Sequence, residues 1–263
     1  MKQVLSAAVI MMLVYGCAHK LDLSEQIPGT YFLTLQTVEQ EDGRKATYKD
    51  LKQLKIYTDK QFMYAQINPA DSTSSFGVGG YSTEGDTLVE HVLYSSRGSG
   101  FADQPVDHSL FIKITGDGYS QIINGIQING VSSVLTENYD RSSPKPESPL
   151  DGVWKEVKGF GVSATNDTTV YNRTQYKAFW NGYFMFGHTN RSDSGKVTTG
   201  MGFGNFEMVN DKQFKETDLN SSYAIIAGNT FTIDLDMPDK DHFTQTIKNS
   251  DGSYSVEFYE RLK

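Results

Sequence analysis

The chain has 263 residues, with 32 acidic against 24 basic side chains, a formal charge of −8 and a single cysteine, Cys17. One thiol excludes an internal disulfide and a cysteine-rich zinc centre, so stability has to come from buried apolar surface or from non-thiol ligands. The acidic balance speaks against a nucleic-acid partner, since neutralising phosphates needs a basic surface, and the length allows one or two domains.

In chain order, Lys2 precedes a mostly apolar run, Val4 to Val14, which is too short to span a bilayer and has the make-up of a signal-peptide core. The run ends in Val14-Tyr15-Gly16-Cys17, which resembles the bacterial lipobox, with a small residue directly before the cysteine. That resemblance implies cleavage after residue 16 and a diacylglyceryl group on Cys17. An ordinary secretory signal cut nearby is the alternative. On the lipobox reading residues 1–16 are the signal peptide and 17–26 a lipidated tether. The partner is then a lipid bilayer, held through acylated Cys17 rather than by charge, in the bacterial cell envelope, with the outer membrane preferred to the inner.

After the tether no stretch carries a helical period, whereas short apolar and aromatic alternations recur, among them Gln61–Gln66, Thr87–Val92, Phe111–Ile114 and Phe231–Leu235. Turn signals such as Glu84-Gly85-Asp86, Gly116-Asp117-Gly118, Asn181-Gly182 and Gly228-Asn229 separate them, as an antiparallel meander requires. Three prolines in Ser142–Pro149 mark a linker, 142–149, between blocks 27–141 and 150–263 of nearly equal length.

The blocks repeat one another. Lys55–Gln66 (KIYTDKQFMYAQ) lies over Lys177–His188 (KAFWNGYFMFGH), and Phe76–Leu88 over Met201–Gln213 with Gly77/Gly202 and Gly79/Gly204 identical. Both blocks close alike, on Glu137-Asn138-Tyr139-Asp140-Arg141 and Glu257-Phe258-Tyr259-Glu260-Arg261. The fold class expected is therefore all-β, two tandem antiparallel up-and-down barrels.

Gly152-Val153-Trp154 on the first strand of the second block, with Gly29-Thr30-Tyr31 in the first, followed by a meander closed by an arginine, resembles the lipocalin and fatty-acid-binding superfamily. Each block looks like the lipocalin-like domains of lipoproteins from the Bacteroides group. The resemblance implies that Arg261 packs over Trp154, and Arg141 over Tyr31, at the closed floor of each barrel, a structural role.

Motifs for chemistry are few. Gly77-Val78-Gly79-Gly80 is not followed by a helix, as a dinucleotide loop requires, and the five histidines show no metal-ligand spacing. The carboxylates Asp234, Asp236, Asp239 and Asp241 read as solvated acids about a hairpin. No catalytic residue, metal site or cofactor is assigned, although His91 beside Glu90, and His188, could be acid/base groups if they face a cavity. The aromatics give the stronger lead. Tyr57, Phe62, Tyr64, Tyr81 and Tyr94 in the first copy, with Phe179, Phe184, Phe186, Phe206 and His188 in the second, either line a ligand cavity or fill the core, because the strand phase is not readable. The expected function is binding of a small apolar or amphipathic ligand. The alternatives are a scaffold or accessory subunit of an envelope complex with filled barrels, and a barrel-cavity enzyme of isomerase or cyclase type.

Overall fold

The structure, a computed structural model, describes residues 22–96, 106–128, 130–192 and 195–263. The expected signal peptide, Cys17 and the first part of the expected tether lie outside the described residues.

The chain is all-β apart from one helical turn, α1 (Leu23–Gln26). The first sheet comprises β1 (Gly29–Gln40), β2 (Lys45–Tyr48), β3 (Lys52–Tyr57), β4 (Gln61–Ile67), β5 (Ser74–Glu84), β6 (Thr87–Ser95), β7 (Val106–Thr115), β8 (Gly118–Ile128) and β9 (Val131–Arg141). The second comprises β10 (Gly152–Val162), β11 (Thr168–Val170), β12 (Arg173–Trp180), β13 (Tyr183–Arg191), β14 (Val197–Asn210), β15 (Gln213–Ser221), β16 (Thr230–Asp239), β17 (His242–Lys248) and β18 (Tyr254–Arg261).

In each sheet successive strands pair antiparallel, and the last returns to the first through the β1–β9 and β10–β18 pairings. Strands β2 and β3 pair with successive parts of one edge of β1, and β11 and β12 do the same on β10. Each sheet is thus a closed barrel with eight strand positions, and the two barrels stand in tandem. Tight turns make the meander feasible. Asn181 and Gly182, joining β12 to β13, both take positive φ (53° and 74°), the combination a two-residue hairpin loop needs.

The end of the expected tether packs on the barrel through Leu23, and the first block begins with a buried Ile27. Leu23 and Ile27 are buried in the first barrel's core, and the Ile27 carbonyl accepts a hydrogen bond from the Tyr31 hydroxyl at 2.9 Å. Leu150 does the same in the second barrel, accepting from Trp154 Nε1 at 2.8 Å. The arginines lie over these rings. The Arg261 guanidinium carbon is 4.0 Å from the Trp154 ring centroid, and that of Arg141 is 5.2 Å from Tyr31. Cation–π contacts of this kind contribute on the order of 0.5–2 kcal/mol.

Three apolar clusters hold the molecule. One lies inside each barrel, and the third lies between the barrels, built mainly from the outward faces of β3–β5 and β12–β14. Along β3 and β4 the alternation therefore buries both faces. Tyr57 and Phe62 point into the lumen, while Ile56 and Met63 meet the second barrel.

Candidate functional site

Above its aromatic floor each barrel carries a layer of buried polar side chains, and the two layers are the same. In the first, Lys55 Nζ sits 2.6 Å from Glu90 Oε1 and donates to Gln121 Oε1 at 3.3 Å. Gln121 Nε2 donates to Glu137 Oε2 at 2.5 Å, as does the Tyr139 hydroxyl at 2.9 Å, and Gln53 Nε2 donates to Tyr139 at 2.6 Å. In the second, Lys177 meets Glu216 at 2.5 Å and Gln245 at 3.0 Å, Gln245 and Tyr259 donate to Glu257, and Gln175 donates to Tyr259. Six residues recur one for one, and five contacts among them are shared: Lys with Glu, Lys with Gln, Gln with Glu, Tyr with Glu and Gln with Tyr. All point into the lumen and are buried, where satisfied hydrogen bonds are the condition for burying charge.

What stands above the layer differs. The first barrel opens into a cavity of about 1210 Å³. The polar layer lines its base, Val38, Leu51, Val92, Ile123 and Leu135 form an apolar collar, and Ile128 stands at the mouth. In the second barrel the register equivalents of Leu33, Gln36 and Leu51 are Glu156, Gly159 and Arg173. Arg173 donates twice to Glu156, at 2.8 and 2.9 Å, and once to Glu257 Oε1 at 2.7 Å. Its side chain is 13% exposed and so fills the space that is open in the first copy. Burial opposes ionisation of Glu257, but the charges of Arg173 and Lys177 outweigh it and hold the carboxyl below its usual range.

The sequence-derived candidates divide three ways. Of the first copy, Tyr64 lines the cavity, and Tyr57 and Phe62 belong to the floor, where the Tyr57 hydroxyl donates to Glu90 Oε1 at 2.6 Å. Tyr81 packs on Tyr57 and donates to the Thr58 carbonyl. Phe179, Phe184 and Phe206 are second-barrel core, with Phe186 beside them and stacked on His188. His188 is inward-facing and engaged on both nitrogens, with Gln175 at 3.0 Å and Tyr223 at 2.7 Å. Burial, and then the Arg173 charge, lower its pKa to about 4.

Tyr94 is not in the lumen. Leu93 is an extra residue opposite Val78/Gly79, and this β-bulge reverses the phase of the strand after Val92. Tyr94 therefore stacks on Phe76 in the cluster between the barrels, and its hydroxyl lies 2.5 Å from Thr189 Oγ1 of the other barrel.

His91 faces outward. Its Nε2 is 3.0 Å from Ser82 Oγ and its Nδ1 2.9 Å from Asp107 Oδ1, the connectivity of a nucleophile–base–acid relay. All three side chains are solvent-exposed on the barrel wall, so the pair is solvated and nothing there is desolvated for catalysis. Asp234, Asp239 and Asp241 are engaged by Lys248, His242 and Arg261 respectively.

Sequence reasoning passed over the polar layer itself. Its signal was present in the two aligned lysines and the two Glu-x-Tyr closures, but a lysine alternating with apolar residues ordinarily reads as a solvent-facing position.

No protein-family model matches the sequence, and no curated protein matches it. Among solved structures, the chain is similar to a protein of unknown function of the DUF3598 family from Nostoc punctiforme, at 10% sequence identity and a TM-score of 0.27, over 90% of this chain and 97% of that one.

Proposed function

We propose that this is a lipocalin-like bacterial envelope lipoprotein, anchored through acylated Cys17, whose first barrel binds a small amphipathic molecule and whose second barrel is a filled scaffold. The observation that carries the reading is the roughly 1210 Å³ cavity with an apolar collar over a hydrogen-bonding base. Such a lining favours a ligand whose polar end reaches the base while its apolar body covers the collar. The second copy has the same base beneath Arg173, so the base is a shared feature of the barrel and does not by itself signify catalysis.

Incubation of the mature protein with an envelope extract, followed by native mass spectrometry, should show one small molecule retained per chain. The variant Leu33→Glu/Gln36→Gly/Leu51→Arg, which gives the first barrel the plug of the second, should retain none. No retained species, or equal retention by the plugged variant, would overturn the assignment of binding to this cavity. For the anchor, metabolic labelling with a fatty acid should mark the wild type and not Cys17→Ser; equal labelling of both would exclude acylation at Cys17.

A further inference from the structure

The second barrel shows what the base of the first is built to receive. Glu257 accepts four hydrogen bonds. Three of these, from Gln175, Gln245 and Tyr259, fall on Oε2, and the one from the Arg173 guanidinium falls on Oε1. Its counterpart Glu137 accepts three, from Gln36 on Oε1 at 2.6 Å and from Gln121 and Tyr139 on Oε2. On Oε1, where the twin carboxylate holds a guanidinium, Glu137 has the neutral Gln36 amide; that oxygen can accept one bond more, and Glu137 lines the open cavity.

Charge points the same way. Among the described residues lining the cavity, Lys55 is the only lysine or arginine, and it is committed to Glu90 and Gln121. Glu137 has neutral donors only, and Asp107 at the rim is held by His91. An anionic head at Lys55 would share the ammonium with Glu90 and face the charge of Glu137, whereas a cationic head adds a charge-assisted bond on Glu137 Oε1 beside Gln36.

We infer that the ligand of the first barrel is a cationic amphiphile, with an amine or guanidine head that docks on Glu137 Oε1 beside Gln36, the oxygen whose twin in Glu257 holds Arg173, and an apolar body against Leu51, Val92 and Ile123. This inference rests on the cavity-binding reading above and narrows its ligand class.

Isothermal titration of the mature protein at neutral pH with octylamine, 1-octanol and octanoate tests it, since the three share one chain and differ in head charge. The expected result is one site, with octylamine bound at least about tenfold more tightly than the other two. Glu137→Gln should remove that advantage and leave 1-octanol within about twofold, the difference expected of lost charge assistance rather than lost collar. Should Glu137→Gln fail to give a wild-type melting profile, Leu33→Glu/Gln36→Gly/Leu51→Arg replaces it and should bind none of the three. Equal binding of octylamine and 1-octanol would overturn the cationic head while leaving the cavity reading intact, and tightest binding of octanoate would move the docking group to Lys55. No binding of any of the three would overturn both readings.

Discussion

Asp218 stands on β15 where the first copy has Val92, and its Oδ1 is buried with no hydrogen-bond partner among the described residues. Burial raises its pKa to about 7, with repulsion from Glu216 adding to the shift and Lys177 opposing it. An acid whose pKa is higher in the folded chain than in the unfolded one binds more protons when folded. Its contribution is therefore favourable at low pH and is lost as pH rises from about 4 through 7. His188 has the opposite sign, because its pKa falls from 6.5 to about 4, and its contribution is lost as pH drops through that interval. Asp218→Asn should consequently stabilise the protein at pH 8 by on the order of 1–3 kcal/mol and leave it near wild type at pH 4. Thermal melts across that range would show it; a variant whose melting temperature tracks the wild type at every pH would mean that Asp218 is hydrated in the fold. Nothing in the matched sequence segments marks this residue, since it lies beyond them and differs between the copies.

Strands that are not neighbours are tied through the lumen. Lys55 on β3 reaches Glu90 on β6 and Gln121 on β8, and Lys177 on β12 reaches Glu216 on β15 and Gln245 on β17. These pairs are almost wholly buried, so attraction is largely offset by desolvation and each partner mainly prevents the other from being stranded. Lys177→Met should cost about 3–5 kcal/mol, and Lys177→Met/Glu216→Leu should recover at least half of that. Urea unfolding of the two single variants and the double variant measures the coupling; additive losses would show that the two side chains act independently. The meander itself was readable, because Asn181-Gly182, Gly85 and Gly116 punctuate alternating runs and each takes the positive φ a tight turn uses. The phase of β3, β4, β12 and β13 was not, because a strand buried on both faces alternates lumen-facing and interface residues that are equally apolar. Phe62 and Met63 are one such pair, Phe184 and Met185 another, and the lumen side is distinguished only further along these strands, by Gln53, Lys55 and Gln66 in the first barrel and Gln175, Lys177 and His188 in the second. Tyr94 was unreadable for a different reason, since a bulge is set by pairing across strands and leaves no mark in local alternation.

Duplication has given one open and one filled barrel that share a core. Leu54, Ile56, Met63, Ala65, Phe76 and Val78 from the first meet Val153, Tyr176, Ala178, Met185, Met201 and Phe203 from the second in a single buried cluster. Polar contacts frame it, with Thr30 Oγ1 donating to the Trp180 carbonyl at 3.2 Å and Gln61 Nε2 to the Leu262 carbonyl at 3.2 Å. The strands that carry Gln53, Lys55, Tyr64 and Gln66 on the cavity side thus rest their outer faces on the filled barrel, which braces the wall of the open one. Burial on this scale couples the two halves, so the described chain should unfold in one calorimetric transition. Gly187 is the place to test it. A Cβ there would fall 2.3 Å from the Phe76 ring, and neither backbone nor a close-packed ring can yield that distance without moving the interface. Gly187→Val should cost about 1–3 kcal/mol or more by overpacking. It should broaden or split the transition and weaken ligand retention in the first barrel, although residue 187 lies on the other one. Two separate transitions in the wild type, or a Gly187→Val protein with unchanged melting and unchanged retention, would show that the open barrel keeps its shape without the brace.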